Sequence, residues 1–339
     1  MNSHGISRKI SKTRIVVYHL GRSSRKWLGA LALLALTTAC GNDENSPPVE
    51  IIQVEGGTIL FSSVRDGDWE IFTMNSDGSD ERKLTDNLGY DWAPVWSPDG
   101  SQIVFTSDHL DGEIQQTGSF VNGEWVRETI EKLQEPEIFL MDADGSHLRA
   151  LTDNLGVDGG PAWSPDGTKV AFHSDLSEMG TEIYSINLDG TGLHQLTQLG
   201  GHNWDPAWSP GGQRIAFGSL LSDWMLYAMD GDGESLQLIE GAGVGWKPAW
   251  SPAGNQIAFS SKRNGNWDIF VMNADGTEVQ QLTSHPADEH DPVWSPSGQH
   301  LAFGRALSGT VDILVMNSDG SGVFSTGQSG FASDWKAAQ

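Results

Sequence analysis

Aromatic rings and carboxylates recur at matching places along this chain. Two residues before successive copies of a Pro-x-Trp-Ser-Pro motif stand Trp92, Gly159, Trp204, Trp246 and His290, and Phe331 precedes a degenerate copy. At neighbouring places stand Asp91, Asp158, Asp205, Lys247 and Asp291. Indole faces beside carboxylates suit sugars, cationic groups or a peptide bearing basic residues. These residues vary between repeats, whereas the Pro, Trp and Ser of the motif do not. A ring of positions facing an asymmetric ligand would vary in this way. The candidate ligand-binding set is Asp91, Trp92, Asp158, Trp204, Asp205, Trp246, His290 and Asp291. The competing reading is that the aromatics only pack or plug the place they occupy.

Other chemistry is sparse. The sequence has no Gly-x-Ser-x-Gly elbow, no His-Glu-x-x-His and no phosphate-cradling glycine loop, so no catalytic residue is assigned. Asn-x-Asp-Gly and Asp-x-Asp-Gly runs are similar to calcium loops but lack the distal glutamate, and hairpin turns explain them better. His202 and His290 fall in different repeats and are read as coincidental rather than as a metal pair. Trp69, Trp224 and Trp267 recur just before a strand, which argues for packing. No cofactor and no metal are expected.

The elements that must position these residues are repeated strands. The motif tryptophans are Trp96, Trp163, Trp208, Trp250 and Trp294, at spacings of 67, 45, 42 and 44, and Trp335 follows 41 residues on. After each motif comes a β-type run such as Ile103–Phe105 or Ile257–Phe259. A second alternating run follows, as at Glu70, Glu137, Glu182, Asp268 and Asp312, then an Asp-Gly turn and a short strand ending in Leu-Thr. Alternation at period two marks half-buried strands, and Asp-Gly supplies the positive φ of a tight turn. About four short strands per roughly 42-residue unit is a propeller blade. The expected fold is all-β: a six-bladed β-propeller of four-stranded blades over residues 55–339. The C-terminal strand, around Phe331–Trp335, would join blade one and close the ring. The tryptophans would be wedges between blades.

The residues Pro-Ala-Trp-Ser-Pro-Asp-Gly, (Asp/Glu)-Ile-(Phe/Tyr)-x-Met-Asn-x-Asp-Gly and Leu-Thr resemble the repeats of the TolB-like β-propeller family. The resemblance covers roughly residues 55–339. It implies a WD-repeat-like propeller and a place in the bacterial envelope, where TolB is the periplasmic component of the Tol-Pal system. TolB carries an α/β domain before its propeller. This chain is expected to be a stand-alone lipoprotein relative without it.

The N-terminus reads as an address. Seven basic and no acidic residues fall in the first 39, all of the basic ones ahead of the apolar run Trp27–Thr38. That run is too short to span a bilayer and describes a secretory signal. Residues 1–39 are read as a lipoprotein-type signal peptide, Cys40 as the lipidated residue and 40–54 as a flexible tether. Cys40 is the sole cysteine, so no disulfide forms within one chain. The net charge of −25 argues against nucleic acid as a partner. Residues 108–135 account for the 67-residue spacing and are expected to form an inserted hairpin about Asn122-Gly123, either a functional decoration or a neutral one. The leading expectation is a non-catalytic module that binds an envelope protein or glycan at the propeller mouth, held by its lipid to the outer membrane facing the periplasm or the cell surface. The alternative is a polysaccharide-acting, lyase-like enzyme with a channel metal site.

Overall fold

The computed structural model describes residues 54–338, apart from 66, 88, 109–114, 122–123 and 131–134; for 115–121 and 124–130 it describes the backbone. The expected signal peptide, Cys40 and nearly all of the tether lie outside the described residues, as do Asn122 and Gly123.

The described chain is all-β, with a single turn of 3₁₀ helix at Glu240–Ala242. The strands run β1 (Gly57–Val64), β2 (Trp69–Asn75) and β3 (Arg82–Lys83); then β4 (Asp91–Trp96), β5 (Gln102–Ser107), β6 (Gln115–Val121), β7 (Glu124–Ile130), β8 (Glu137–Asp142) and β9 (Arg149–Ala150). Next come β10 (Asp158–Trp163), β11 (Lys169–Ser177), β12 (Gly180–Asn187) and β13 (His194–Gln195), then β14 (Gly201–Trp208), β15 (Arg214–Leu220), β16 (Trp224–Asp230) and β17 (Gln237–Leu238). The last are β18 (Gly245–Trp250), β19 (Gln256–Ser261), β20 (Asp268–Asn273), β21 (Gln280–Gln281), β22 (Glu289–Trp294), β23 (His300–Leu307), β24 (Thr310–Asn317), β25 (Phe324–Ser329) and β26 (Phe331–Ala337).

Four-stranded antiparallel order recurs along the chain: β4-β5-β8-β9, β18-β19-β20-β21 and β22-β23-β24-β25. Strands β10–β13 and β14–β17 repeat the order and merge into one eight-stranded sheet through a short parallel pairing of β12 with β14. The remaining sheet is β26-β1-β2-β3, in which the last strand of the chain pairs antiparallel with the first, Ile59 opposite Trp335 and Ser62 opposite Phe331. Strands β6 and β7 form a separate two-stranded antiparallel sheet, Val121 opposite Glu124.

The sequence explains these elements locally. The glycines of the Asp-Gly turns, Gly78, Gly145, Gly190, Gly233, Gly276 and Gly320, all have φ between 79° and 92°. A side chain is disfavoured there. The preceding aspartates accept from the backbone two residues on, as Asp77 Oδ1 does from Ser79 N at 2.9 Å and Asp275 Oδ1 from Thr277 N at 3.0 Å. These carboxylates are committed to the turn, as their residue type predicts.

The core lies between consecutive sheets. One cluster joins Leu60 and Ile71 to Trp96, Phe105 and Phe139, and the next joins Val104 and Leu140 to Trp163, Phe172 and Tyr184. The series continues through Ile183 with Phe217, Ala216 with Trp250 and Phe259, and Val271 with Trp294 and Phe303. The last cluster returns to the start of the chain: Ala302, Ile313 and Val315 pack on Ile59, Phe61, Phe72 and Trp335. A motif tryptophan sits in or against every one. Trp163, Trp250 and Trp294 also donate Nε1–H to the backbone carbonyls of Val95, Ala207 and Ala249 in the preceding sheet, at 3.1–3.2 Å. Each wedge thereby gains apolar burial and a hydrogen bond together. The strands that open the repeats, β4, β10, β14, β18 and β22, lie side by side, and β26 touches both β22 and β4.

Candidate aromatic cavity

Each of these opening strands breaks in the same place. The residue just before the motif proline, Ala93, Gly160, Asp205, Lys247 or Asp291, has φ between 52° and 57°. Pairing with the next strand shifts register there, between Trp92 and Val95, Gly159 and Ala162, Trp204 and Ala207, Trp246 and Ala249, and His290 and Val293. This is a β-bulge, which re-aims a side chain by breaking the pleat. A left-handed backbone costs a residue with Cβ about 1–2 kcal/mol. Four of the five positions bear that cost, so the packing around the strands must hold the bulge in place.

The bulge positions line the junction of two cavities. One, of about 750 Å³, is bounded by Trp69, Tyr90, Trp92, His173, Trp204, Trp246 and Phe331. The other, of about 510 Å³, is bounded mainly by the motif prolines and tryptophans. Ala93, Gly160, Asp205, Lys247, Asp291, Ala332 and Ser333 belong to both. The first volume falls in the range of ordinary small-ligand sites.

Half-buried aromatic rings pack onto the tryptophans that line the larger cavity. Trp204 is 5.3 Å from Trp224, Trp224 is 5.7 Å from Trp246, and Trp246 is 6.2 Å from Trp267, all centroid to centroid. On another side Phe331 lies between Trp69 at 5.4 Å and His290 at 5.3 Å. Trp69, Trp224 and Trp267 do pack, as expected, but they pack on the cavity's own aromatics.

The floor is charged and internally paired. Lys247 Nζ is 3.0 Å from Asp205 Oδ1, and Trp246 Nε1 donates to Asp205 Oδ2 at 2.8 Å. Burial pushes the Asp205 carboxyl up, but Lys247, His173 and these hydrogen bonds outweigh it and hold it below the ordinary value. Burial likewise lowers Lys247, and Asp205 and Asp291 more than restore it, so the ammonium stays charged. His173 is pushed down to about 4, by burial first and by Lys247, against Asp205. It is therefore neutral at pH 7, with Nδ1 placed to accept the Asp205 N–H at 3.5 Å. His290 Nδ1 is 2.9 Å from Asp291 Oδ2; burial lowers that imidazole, and the Asp291 bond and charge raise it above its usual value.

The expected residues therefore divide. Trp92, Trp204, Asp205, Trp246 and Asp291 come together at the cavity. His290 stands one layer back, between Phe331 and Asp291. Asp91 and Asp158 do not face it. Both are fully buried inside their sheets, three residues before the proline and on the other side of the bulge. Asp91 takes hydrogen bonds from Ser107 Oγ and Asn87 Nδ2, and burial pushes it up to about 6. Asp158 takes one from Asn154 Nδ2, whose backbone N–H goes to Glu137; burial raises both acids, Glu137 to about 7, and each bears on the other. These acids knit strands and loops together.

Reading by repeat did not find His173, which comes from β11 rather than an opening strand, nor Tyr90. Lys247 was noticed only as a neighbour. Its signal was a lone cation at a bulge position otherwise Ala, Gly or Asp. Among the described residues, no group of three or more His, Cys, Asp or Glu side chains is placed to hold a metal ion. Among the same residues, no helix is long and apolar enough to cross a membrane.

Comparison with known proteins gives the same architecture. The model of the TolB beta propeller domain matches residues 119–242 and 233–334, together more than half of the chain. A TolB homolog of Chlorobium luteolum is 32% identical over 140 residues, covering 36% of this chain and 32% of that protein. The Tol-Pal system protein TolB of Anaeromyxobacter dehalogenans is 31% identical over 117 residues, covering 29% of this chain and 27% of that protein. The chain thus spans about a third of the length of the curated relatives it matches. The crystal structure of TolB from Acinetobacter baumannii superposes with a TM-score of 0.68 at 20% identity, over 83% of this chain and 67% of that one, a likeness of fold.

Proposed function

The chain belongs to the TolB β-propeller family, and on that premise we propose that it is a six-bladed propeller, closed by β26 on β1, that acts as a non-catalytic binding or scaffold module at the bacterial envelope. In this reading residues 1–39 are a lipoprotein signal, Cys40 carries the lipid, and 40–54 tether the propeller of residues 55–339 to the outer membrane. The ligand is an envelope protein or glycan held at the aromatic cavity by Trp92, Trp204 and Trp246 with Asp205 and Asp291. The relatives named as TolB and as a Tol-Pal system protein support protein partners in the envelope.

One observation carries the reading. The strand geometry at the bulge is the same in five repeats, while the residue there changes from Ala to Gly, Asp, Lys and Asp. A position fixed only by packing would keep its residue along with its backbone. Variation on a constant frame suits recognition of an asymmetric ligand. The test compares the parent with a Trp92→Ala, Trp204→Ala, Trp246→Ala triple variant as baits in envelope extract. The variant should lose the specific partners that the parent recovers. A variant that melts cooperatively yet recovers the same partners would place recognition elsewhere.

A further inference from the structure

We propose that the larger cavity takes a neutral polyhydroxylated ligand, a short saccharide, and that Lys247 is what selects it. The proposal rests on the cavity being the binding site, and narrows three ligand classes to one. A basic side chain, a ligand bridged by a metal cation and a neutral sugar would each suit aromatics beside carboxylates.

The seat that a cation would need is already taken. Lys247 Nζ sits 3.0 Å from Asp205 Oδ1 and is drawn by Asp291 as well. The other oxygen of Asp205 is held by the Trp246 indole N–H, and one oxygen of Asp291 by His290 Nδ1. An incoming cation would meet a fixed ammonium, and an anion would meet two carboxylates. One ammonium against two carboxylates leaves the floor with a single net negative charge, held between Lys247 and the His290 imidazole beside Asp291, and what it still offers is polar in detail. An ammonium has three N–H donors, of which one is spent on Asp205. Asp291 Oδ2 is held by His290, and among the described residues no side chain is seen to hydrogen-bond to the other oxygen. Hydroxyl groups both donate and accept, so adjacent hydroxyls on one ring can take up the donor and the acceptor together. Bonds of this kind to charged partners are the stronger ones.

The wall supplies the other half. Trp92, Trp204 and Trp246 are each only half-buried; Trp204 packs on His173, His202 and Trp224, and Trp246 on Trp224 and Trp267 with its indole N–H on Asp205. The C–H faces of a pyranose ring are apolar, and stacked indoles bury them without demanding charge. The volume of about 750 Å³ accommodates a ligand of two or three such rings.

The test uses maltotriose, cellotriose and tri-N-acetylchitotriose as probes, with a tri-arginine peptide as the contrast, read by tryptophan emission and calorimetry on the propeller-bearing chain. At least one saccharide should bind with a Kd near or below about 1 mM, unchanged between 50 and 500 mM salt as order-of-magnitude settings for weak and strong screening. Trp204→Ala and Lys247→Met should each weaken it about tenfold or more. Trp204→Phe, which keeps a stacking face, should stay within a few-fold, so a loss caused by misfolding is told apart. Silence from all three saccharides up to about 10 mM overturns the proposal. So does salt-sensitive binding of tri-arginine that survives Lys247→Met. In either case, continued loss of envelope partners by the triple tryptophan variant would leave the mouth as the binding site with a different ligand. Retention of partners would remove the site itself.

Discussion

The buried acids show how one residue type takes two roles a few positions apart. Asp205 and Asp291 sit at the bulge and meet the cavity, whereas Asp91 and Asp158 sit two residues earlier and are sealed within a sheet. Asp158 shares its burial with Glu137, and the pair is a poor place for two negative charges. The third repeat has solved this differently: Asn203 stands where Asp158 stands, and its Nδ2 donates to Glu182 at 2.9 Å. Asp158→Asn should therefore be tolerated and should alter the pH response. Burial raises Glu137 from 4.5 to about 7, so the folded chain keeps a proton that the unfolded chain releases. This contribution to stability is fully present below about 4.5 and is lost as pH climbs through about 7. In the variant an amide donor replaces the repelling acid and this loss shrinks, while the larger contribution, burial, remains. Melting temperatures at pH 5 and pH 7.5 give the readout. A parent-like difference between them would disprove the pairing.

At the scale of the strand, the bulge decides what faces the ligand. Ala93 holds φ 52° without the freedom of glycine, whereas Gly160 occupies the same place in the next repeat. Ala93→Gly should match or exceed the parent in stability, relief of about 1–2 kcal/mol of backbone strain being offset by glycine's unfolded-state entropy. Ala93→Val should fall at least about 1 kcal/mol below the parent, because a branched side chain fits a left-handed backbone worse. Equal denaturation midpoints for the two variants would mean that the backbone here is not constrained. The same bulge explains how far the sequence could be read. The strands, their turns and the tryptophan wedges follow from residue types at fixed spacing, and these were legible. Trp92, Trp204 and Trp246 were legible too, because the proline marks their place. Asp91 and Asp158 were misplaced because period-two alternation does not carry across a bulge. Two consecutive residues, such as Trp204 and Asp205, line the cavity together where a regular pleat would set them on opposite faces. His173 was invisible because nothing in β11 marks a residue that reaches the neighbouring repeat's carboxylate.

For the molecule as a whole, the pairing of β26 with β1 ties the far end of the chain to its beginning. Deleting residues 330–339 removes Trp335 from its cluster with Ile59, Phe61 and Phe72 and exposes the edge of β1. Loss of a core aromatic alone costs about 3–5 kcal/mol, a large share of a domain's stability. The melting temperature of the entire propeller should drop, in one transition rather than as a separate early step. An unaltered melt would show that the last strand is dispensable. Attachment is tested independently: Cys40→Ser should shift the protein from the membrane fraction to the soluble one, and identical fractionation would refute lipidation at Cys40. The late arrival of β26 also sets a timetable for biosynthesis. Roughly 270 residues separate the two strands, so contacts of very long range complete the first sheet. Until the C-terminal residues have joined the folding chain, β1 keeps one edge open, the kind of edge that pairs with strangers. Each sheet can stack on the one before it, but the first sheet is complete only when Phe331–Ala337 pairs with β1. The interval before that pairing is when this protein is most exposed to mispairing, and any holdase or crowding effect on its yield should act within it.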